Sequence, residues 1–345
     1  MLPVKNKFNL LSRKELYITV SFFGFFLGLL IFTYFTPNYF KTGDSKTVQI
    51  NQGSNLSQVV DSLYVHSVIP NKFNMKVIAF LFGAERKIKA GRFIIPNGLS
   101  YIRLVDMLIN NKLAEEIKAT FPEGISQTEI GHICRQALNI DSARVIELSR
   151  DREFISSLGL NADNLEGYLL PETYYFYPGT TPEYLLRKLK LQMDKIFTSE
   201  VDSQISIMGM DRKKILIIAS IVDGESNYVP EFKTFAGVYY NRLKAGMPLQ
   251  ADPTIQYLMG GKRKNRILFR DLAIDSKFNT YRYAGLPPAP INNPGRDAIL
   301  AAIYPERNNY LYFVANGNGN HIFAKTFEEH EINVRHYKQW RKNQN

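Results

Sequence analysis

Residues Ile215 to Val222 are almost wholly apolar, and two carboxylates follow at once: Asp223 and Glu225, separated by Gly224. Such a run belongs to an element buried on most sides, helix or central strand by pattern alone. A carboxyl group at its mouth is partly desolvated, so its charged form is disfavoured and a proton stays available near neutral pH. That proton is what a poor leaving group such as a glycosidic oxygen needs. On a helix the two carboxylates would point roughly 200° apart. They would not share one site, and at most one of them faces a cleft. The pattern does not say which.

Groups suited to recognition surround this segment. Gln250, Asp252 and Thr254 stand among apolar neighbours in Met247–Gly260, which reads as a strand or loop presenting hydrogen-bonding groups. Asn279 and Tyr281 sit on a rigid turn, with Gly285-Leu286-Pro287-Pro288 just beyond. Tyr310–Val314 and His321–Phe323 flank an Asn-Gly-rich turn and read as a hairpin. Amides, hydroxyls and aromatic faces suit sugar recognition, although core packing is the commoner role of an aromatic ring.

These groups must be carried by folded domains. A chain of 345 residues, 45% hydrophobic and 22% charged, suffices for about two soluble domains with cores of their own. The lone Cys134 excludes an intramolecular disulfide framework, and five scattered histidines offer no metal-binding spacing. No phosphate-cradling glycine motif is present, so neither a metal nor a cofactor is expected. The net charge of +11 suits nucleic acid, anionic lipid or an acidic polymer.

The N-terminus favours the last two. Leu16 to Phe40 holds no charged residue, enough for a membrane-spanning helix. Tyr17 lies at one end, with Tyr34 and Tyr39 at the other as interfacial aromatics. Lys5, Lys7, Arg13 and Lys14 precede it, which puts the N-terminus in the cytoplasm. No small-residue cleavage site follows, so the segment is expected to be an uncleaved anchor. Nucleic acid is then not an expected partner. The expected divisions are a tail at 1–15, an anchor at 16–40, a small α+β module at 46–113 and a larger α+β domain at 117–345. The last divides into a helical subregion to about residue 205 and a core from 206. The small module alternates strand, turn and helix, like a divergent LysM-type module. The basic loop 262–266 reads as a solvated surface.

Several motifs fall in one order. They are Glu166-Gly167-Tyr168 with Pro171-Glu172-Thr173, then Ala219–Glu225, Asn241-Arg242-Leu243, Gly246–Thr254, Asn279-Thr280-Tyr281, Gly285–Pro288, Asn293-Pro294-Gly295 and Tyr310–Val314. In them the chain closely resembles the MltG/YceG-like endolytic murein transglycosylases. The resemblance implies a peptidoglycan-cleaving lyase of the cell inner membrane, with a periplasmic catalytic domain that leaves 1,6-anhydro ends. It also implies glycan strands as substrate and peptidoglycan synthases as candidate partners. The family's catalytic glutamate falls on Glu225. Gln250, Asp252, Asn279, Tyr281 and Glu166 are then the candidates for substrate binding, with Glu166 also suited to bracing a turn. The family's frequent Glu-Lys-Glu is here Asp223-Gly224-Glu225, which leaves Asp223 without an assured role. A hydrolytic muramidase on the same scaffold and a non-catalytic wall-binding protein are the alternatives.

Overall fold

The computed structural model describes residues 12–40, 45–51, 53–110, 117–176, 180–260 and 267–344. The N-terminal lysines Lys5 and Lys7, most of the polar linker after Phe40, and the basic loop 262–266 lie outside these residues. The described chain forms two compact units, 12–110 and 117–344. Both mix helices with two-stranded antiparallel sheets.

The first unit runs α1 (Arg13–Phe35), β1 (Pro37–Asn38), β2 (Ser45–Ile50), α2 (Leu56–Val65), α3 (Lys72–Leu81), β3 (Gly91–Pro96), β4 (Leu99–Ser100) and α4 (Tyr101–Asn110). Helix α1 opens on a capping box, Ser12 and Glu15 each accepting from the other's backbone N–H. From Lys14 to Phe35 it is long and apolar enough to cross a membrane. It stops five residues before the uncharged stretch ends, because Pro37 cannot continue a helix. Pro37 and Asn38 instead pair with Ser100 and Leu99. Tyr34 is buried, its ring 6.4 Å from that of Tyr101, so it belongs to the module core and not to an interfacial belt. Tyr39 stays half exposed. Strands β2 and β3 pair from Ser45–Pro96 to Ile50–Gly91. Val48, Ile50, Phe93 and Ile95 meet Val60 and Leu63 of α2, Met75 and Ile78 of α3, and Leu104 and Leu108 of α4 in one core.

The second unit contains β5 (Ile117–Thr120), α5 (Gln127–Leu138), α6 (Ser142–Leu148), α7 (Arg152–Ser157), β6 (Thr173–Phe176), α8 (Pro182–Asp194), α9 (Ser199–Ile207) and α10 (Arg212–Glu225). It continues with α11 (Phe232–Lys244), α12 (Asp252–Leu258), α13 (Arg296–Ile303), β7 (Tyr312–Ala315), β8 (His321–Ala324) and α14 (Phe327–Gln344). One apolar cluster joins β5, β6 and α5–α8. A second surrounds α10, whose residues Ile215 to Asp223 are all buried. A helix apolar on every side must be covered on every side, and α9, α11, α12 and α13 all pack against it. The 312–324 segment is the expected hairpin. Residues 252–258, by contrast, form a helix and not a strand or loop. Pro253 at its second position lacks only an N–H that the first turn cannot use.

Asn293 ties the two clusters together. Its Oδ1 accepts from Gly167 N (2.9 Å) and Leu169 N (3.1 Å), and its Nδ2 donates to Ile125 O and Glu166 Oε1. It is fully buried. Asn293→Ala would leave two backbone donors without an acceptor, each worth about 1–3 kcal/mol. It should therefore destabilise the second unit by roughly 3–5 kcal/mol, read as a lowered urea midpoint in the full chain.

Candidate active site

The last turn of α10 separates its two carboxylates. Asp223 is buried and turned inward, its Oδ1 accepting from Gly295 N (3.3 Å) just before α13. A β-carbon on Gly124 would lie 2.5 Å from Asp223 Oδ2, so that glycine is what lets the 121–124 turn close over the carboxylate. Asp223 thus fastens three segments. A β-carbon on Gly224 would stand 2.6 Å from Pro253 Cβ, so the missing side chain is what seats α12 against α10.

Glu225 points the other way and is half buried. The hydroxyl of Tyr239, fully buried on α11, donates to its Oε1. Burial pushes the Glu225 carboxyl up to about 8. The Tyr239 hydrogen bond pulls against that rise, and the nearby charge of Asp252 adds to it, while Arg242 draws the value slightly down. Tyr239 itself is raised well above the ordinary phenol range, first by burial and then by Glu225, and so remains a donor.

Arg242, three residues along α11, shapes the opposite wall. Its Nε donates to Leu311 O (2.6 Å) and its Nη1 to Leu249 O (2.8 Å), Pro248 O and Gln250 Oε1. The guanidinium lies over the Tyr312 ring at 5.4 Å. One cation therefore holds the 248–250 loop against the start of the hairpin. Gln250 adopts a left-handed backbone (φ 49°), uncommon for a non-glycine residue, and its N–H donates to Thr280 O. The Thr280 hydroxyl then accepts from Ala251 N and meets Thr254 Oγ1 at 2.9 Å, so a distant loop holds the residue just before the first turn of α12. Asp252 begins α12, exposed, and accepts from the Tyr281 hydroxyl.

Of the residues expected to bind substrate, Gln250, Asp252 and Tyr281 gather with Glu225 around this wall. Asn279 and Glu166 do not. Asn279 is fully buried, donates to Leu272 O and Ile274 O, and accepts from Tyr281 N (3.0 Å), so it shapes the loop that presents Tyr281. Glu166 is buried among the N–H of Gln127 (3.0 Å) and the amide of Asn293 (2.9 Å), bracing a turn, with its carboxyl pushed by burial up to about 8. Sequence reasoning missed Tyr239 and gave Arg242 no role. Their one signal was the run Tyr239-Tyr240-Asn241-Arg242 on an amphipathic helix, where packing is the ordinary explanation.

The geometry thus sets one carboxyl group, raised by burial and bonded to a buried tyrosine, beside a wall of polar side chains on a mixed α/β domain. The chain belongs to the YceG-like family, whose profile matches residues 48–336. A Bacillus subtilis (strain 168) protein named endolytic murein transglycosylase is 32% identical over 305 residues, 83% of this chain and 84% of that protein. A Streptococcus pneumoniae serotype 2 protein of the same name is 31% identical over 322 residues, 84% of this chain, which spans 57% of its length. A crystal structure of a YceG-like protein from Listeria monocytogenes superposes with a TM-score of 0.59 at 30% identity, covering 84% of this chain and 99% of that one.

Two substitutions should move the Glu225 pKa in opposite directions. Tyr239→Phe removes a donor to the carboxylate and should raise it; Asp252→Asn removes a like charge and should lower it. Carboxyl 13C titration of selectively labelled protein reads both, and shifts of the same sign would contradict the arrangement. At Glu166 the folded state holds a proton that the unfolded chain releases between the ordinary carboxyl range and about pH 8. Stability must therefore fall as pH rises through that window. Glu166→Gln should flatten that decline by at least about 1 kcal/mol between pH 5 and 8 in urea titrations.

Proposed function

We infer that this chain is an endolytic murein transglycosylase that cuts the β-1,4 bond between N-acetylmuramic acid and N-acetylglucosamine within glycan strands. The observation that carries this is Glu225, a half-buried carboxyl pushed by burial up to about 8, held by a buried tyrosine beside the exposed Gln250 and Asp252 and the half-buried Tyr281. The names of the Bacillus and Streptococcus relatives support it.

Glu225 starts protonated and gives its proton to the glycosidic oxygen as the bond to C1 breaks. The carboxylate left behind, stabilised by the Tyr239 hydroxyl, takes the proton of the muramic C6 hydroxyl while that oxygen closes on C1. A 1,6-anhydro end results. The attacking oxygen belongs to the substrate, so one carboxyl serves as acid and then base. Gln250 and Tyr281 offer hydrogen bonds to sugar hydroxyls from fixed positions. Neither metal nor cofactor has a step in this route.

One observation favours the hydrolytic alternative. Asp252 lies close enough for its charge to act on Glu225, and a second carboxylate is what a muramidase needs to activate water. Its engagement with Tyr281 favours positioning instead. On this reading the substrate lies in the periplasm, α1 crosses the inner membrane with its N-terminus cytoplasmic, and peptidoglycan synthases are among the partners that would supply nascent strands for termination or trimming. The strand–helix–helix–strand order of β2, α2, α3 and β3 supports the LysM-like nature of the first unit.

Digestion of purified sacculi by the full chain in detergent, followed by product mass analysis, tests this. Anhydro products, one water lighter than hydrolytic ones, are expected, with activity falling as pH rises through about 8. Glu225→Gln should lose about 10²–10⁴-fold or more in turnover and still sediment with sacculi. Asp252→Asn should keep turning over; its complete inactivity with reducing-end products in the parent would establish the muramidase.

A further inference from the structure

Helix α3 is apolar on two opposite faces. Met75, Ile78 and Ala79 enter the core of the first unit, whereas Phe73, Phe80 and Leu81 are each about two-thirds exposed, with Val77 between them. Positions 73, 77, 80 and 81 make one stripe at i, i+4, i+7 and i+8. Its edge carries Lys72 and Lys76, and the stripe borders an open groove of about 620 Å³ lined also by Leu56, Arg86 and one acid, Glu85. Exposed Tyr64 and Val65 of α2 extend the apolar surface, the Lys72 ammonium lying 4.8 Å from the Tyr64 ring centre. A helix greasy on both sides in a small domain lacks a covering layer.

The position of α3 identifies that layer. The end of α1 is embedded in the unit: Tyr34 packs on Tyr101, and the Tyr101 hydroxyl donates to Asn71 O (3.3 Å), the residue that caps α3. Only one ring and one hydrogen bond separate the last turn of the membrane-crossing helix from the first turn of α3. Pro37 and Asn38, directly after α1, pair with Ser100 and Leu99 at the start of α4. The charge also fits, with eight Lys and Arg against three Asp and Glu in residues 45–110.

We propose that the exposed face of α3, with Tyr64 and Val65, lies in the headgroup region of an anionic bilayer, so that the first unit is seated on the membrane that α1 crosses. Its apolar stripe enters the acyl boundary while Lys76 and Arg86 meet lipid phosphates, Lys72 being paired with Asp61 at 2.8 Å. The inference rests on α1 spanning the bilayer and is independent of the chemistry at Glu225.

The test uses the full chain in nanodiscs of mixed anionic and zwitterionic phospholipid. Nitroxide is attached to Phe73→Cys, Phe80→Cys, Leu27→Cys in the span, and Ile207→Cys on the exposed face of the second unit. Native Cys134 is buried, with its thiol pushed up to about 12, and does not compete for label. Residues 73 and 80 should show accessibility to oxygen over a water-soluble nickel complex that resembles residue 27 and exceeds residue 207 several-fold. That preference should fall but stay above residue 207 in purely zwitterionic discs at about 1 M salt, where screening is felt beyond roughly 3 Å and only the apolar contribution is left. Water-like accessibility at 73 and 80 beside lipid-like accessibility at 27 would overturn the proposal. So would dipolar broadening between labels, which would mean that a second copy covers the stripe. Water-like accessibility at residue 27 would overturn it through its premise, the spanning helix, and leave the inferred reaction standing.

Discussion

A helix buried on every side can present polar chemistry only at its end, and the organisation of the second unit follows from that limit. Helix α10 is enclosed by four neighbours, so its apolar middle fixes depth and direction while its final turn reaches the boundary. Two carboxylates leave that turn in opposite directions. Asp223 goes inward to the 121–124 turn and the start of α13, and Glu225 goes outward toward Tyr239 and the 248–252 wall. Close approach makes the division possible: Gly124 admits Asp223, and Gly224 admits Pro253 and with it the helix that begins at Asp252.

The surroundings of Glu225 set two opposing influences against each other. Burial and Asp252 hold the proton on; Tyr239 and Arg242 favour its release. A group that must donate and then accept in one turnover is served by that balance, since a value far from neutral would speed one half and stall the other. Arg242 is the economical element. Its guanidinium is satisfied by backbone carbonyls from two segments, so it fixes the site's wall without forming a salt bridge that would hold Glu225 ionised.

The buried element at Ile215–Val222 and the hairpin were legible because each leaves a local mark, an unbroken apolar run or a turn composition, whereas the choice of Glu225 over Asp223 came from the family resemblance. The partners of Glu225 were not, because Tyr239 is fourteen positions away and looks like any aromatic on an amphipathic helix. Only folding reveals that its hydroxyl meets the carboxylate. The same limit explains Asn279 and Glu166. Their residue types suit recognition as well as they suit bracing, and it is their burial, a property of the whole unit, that turns them toward backbone groups. Residues 252–258 escaped as a helix because Asp-Pro-Thr is turn-like in isolation. It becomes a first turn once Thr280, from a distant loop, supplies the acceptor for Ala251 N.

The first unit is governed by a different constraint, the junction with α1. Proline ends that helix at the level where its own tyrosine is already inside the module core, and the next two residues are hydrogen-bonded to β4. A flexible tether would have left Tyr34 free for the interface and Pro37 unpaired. The embedded junction instead transmits the helix's direction to α4 and, through Tyr101, to α3. An exposed apolar face on α3 is costly if it points into water and useful if it points at lipid, and the second case gives the contacts between α1, α4 and α3 a physical purpose.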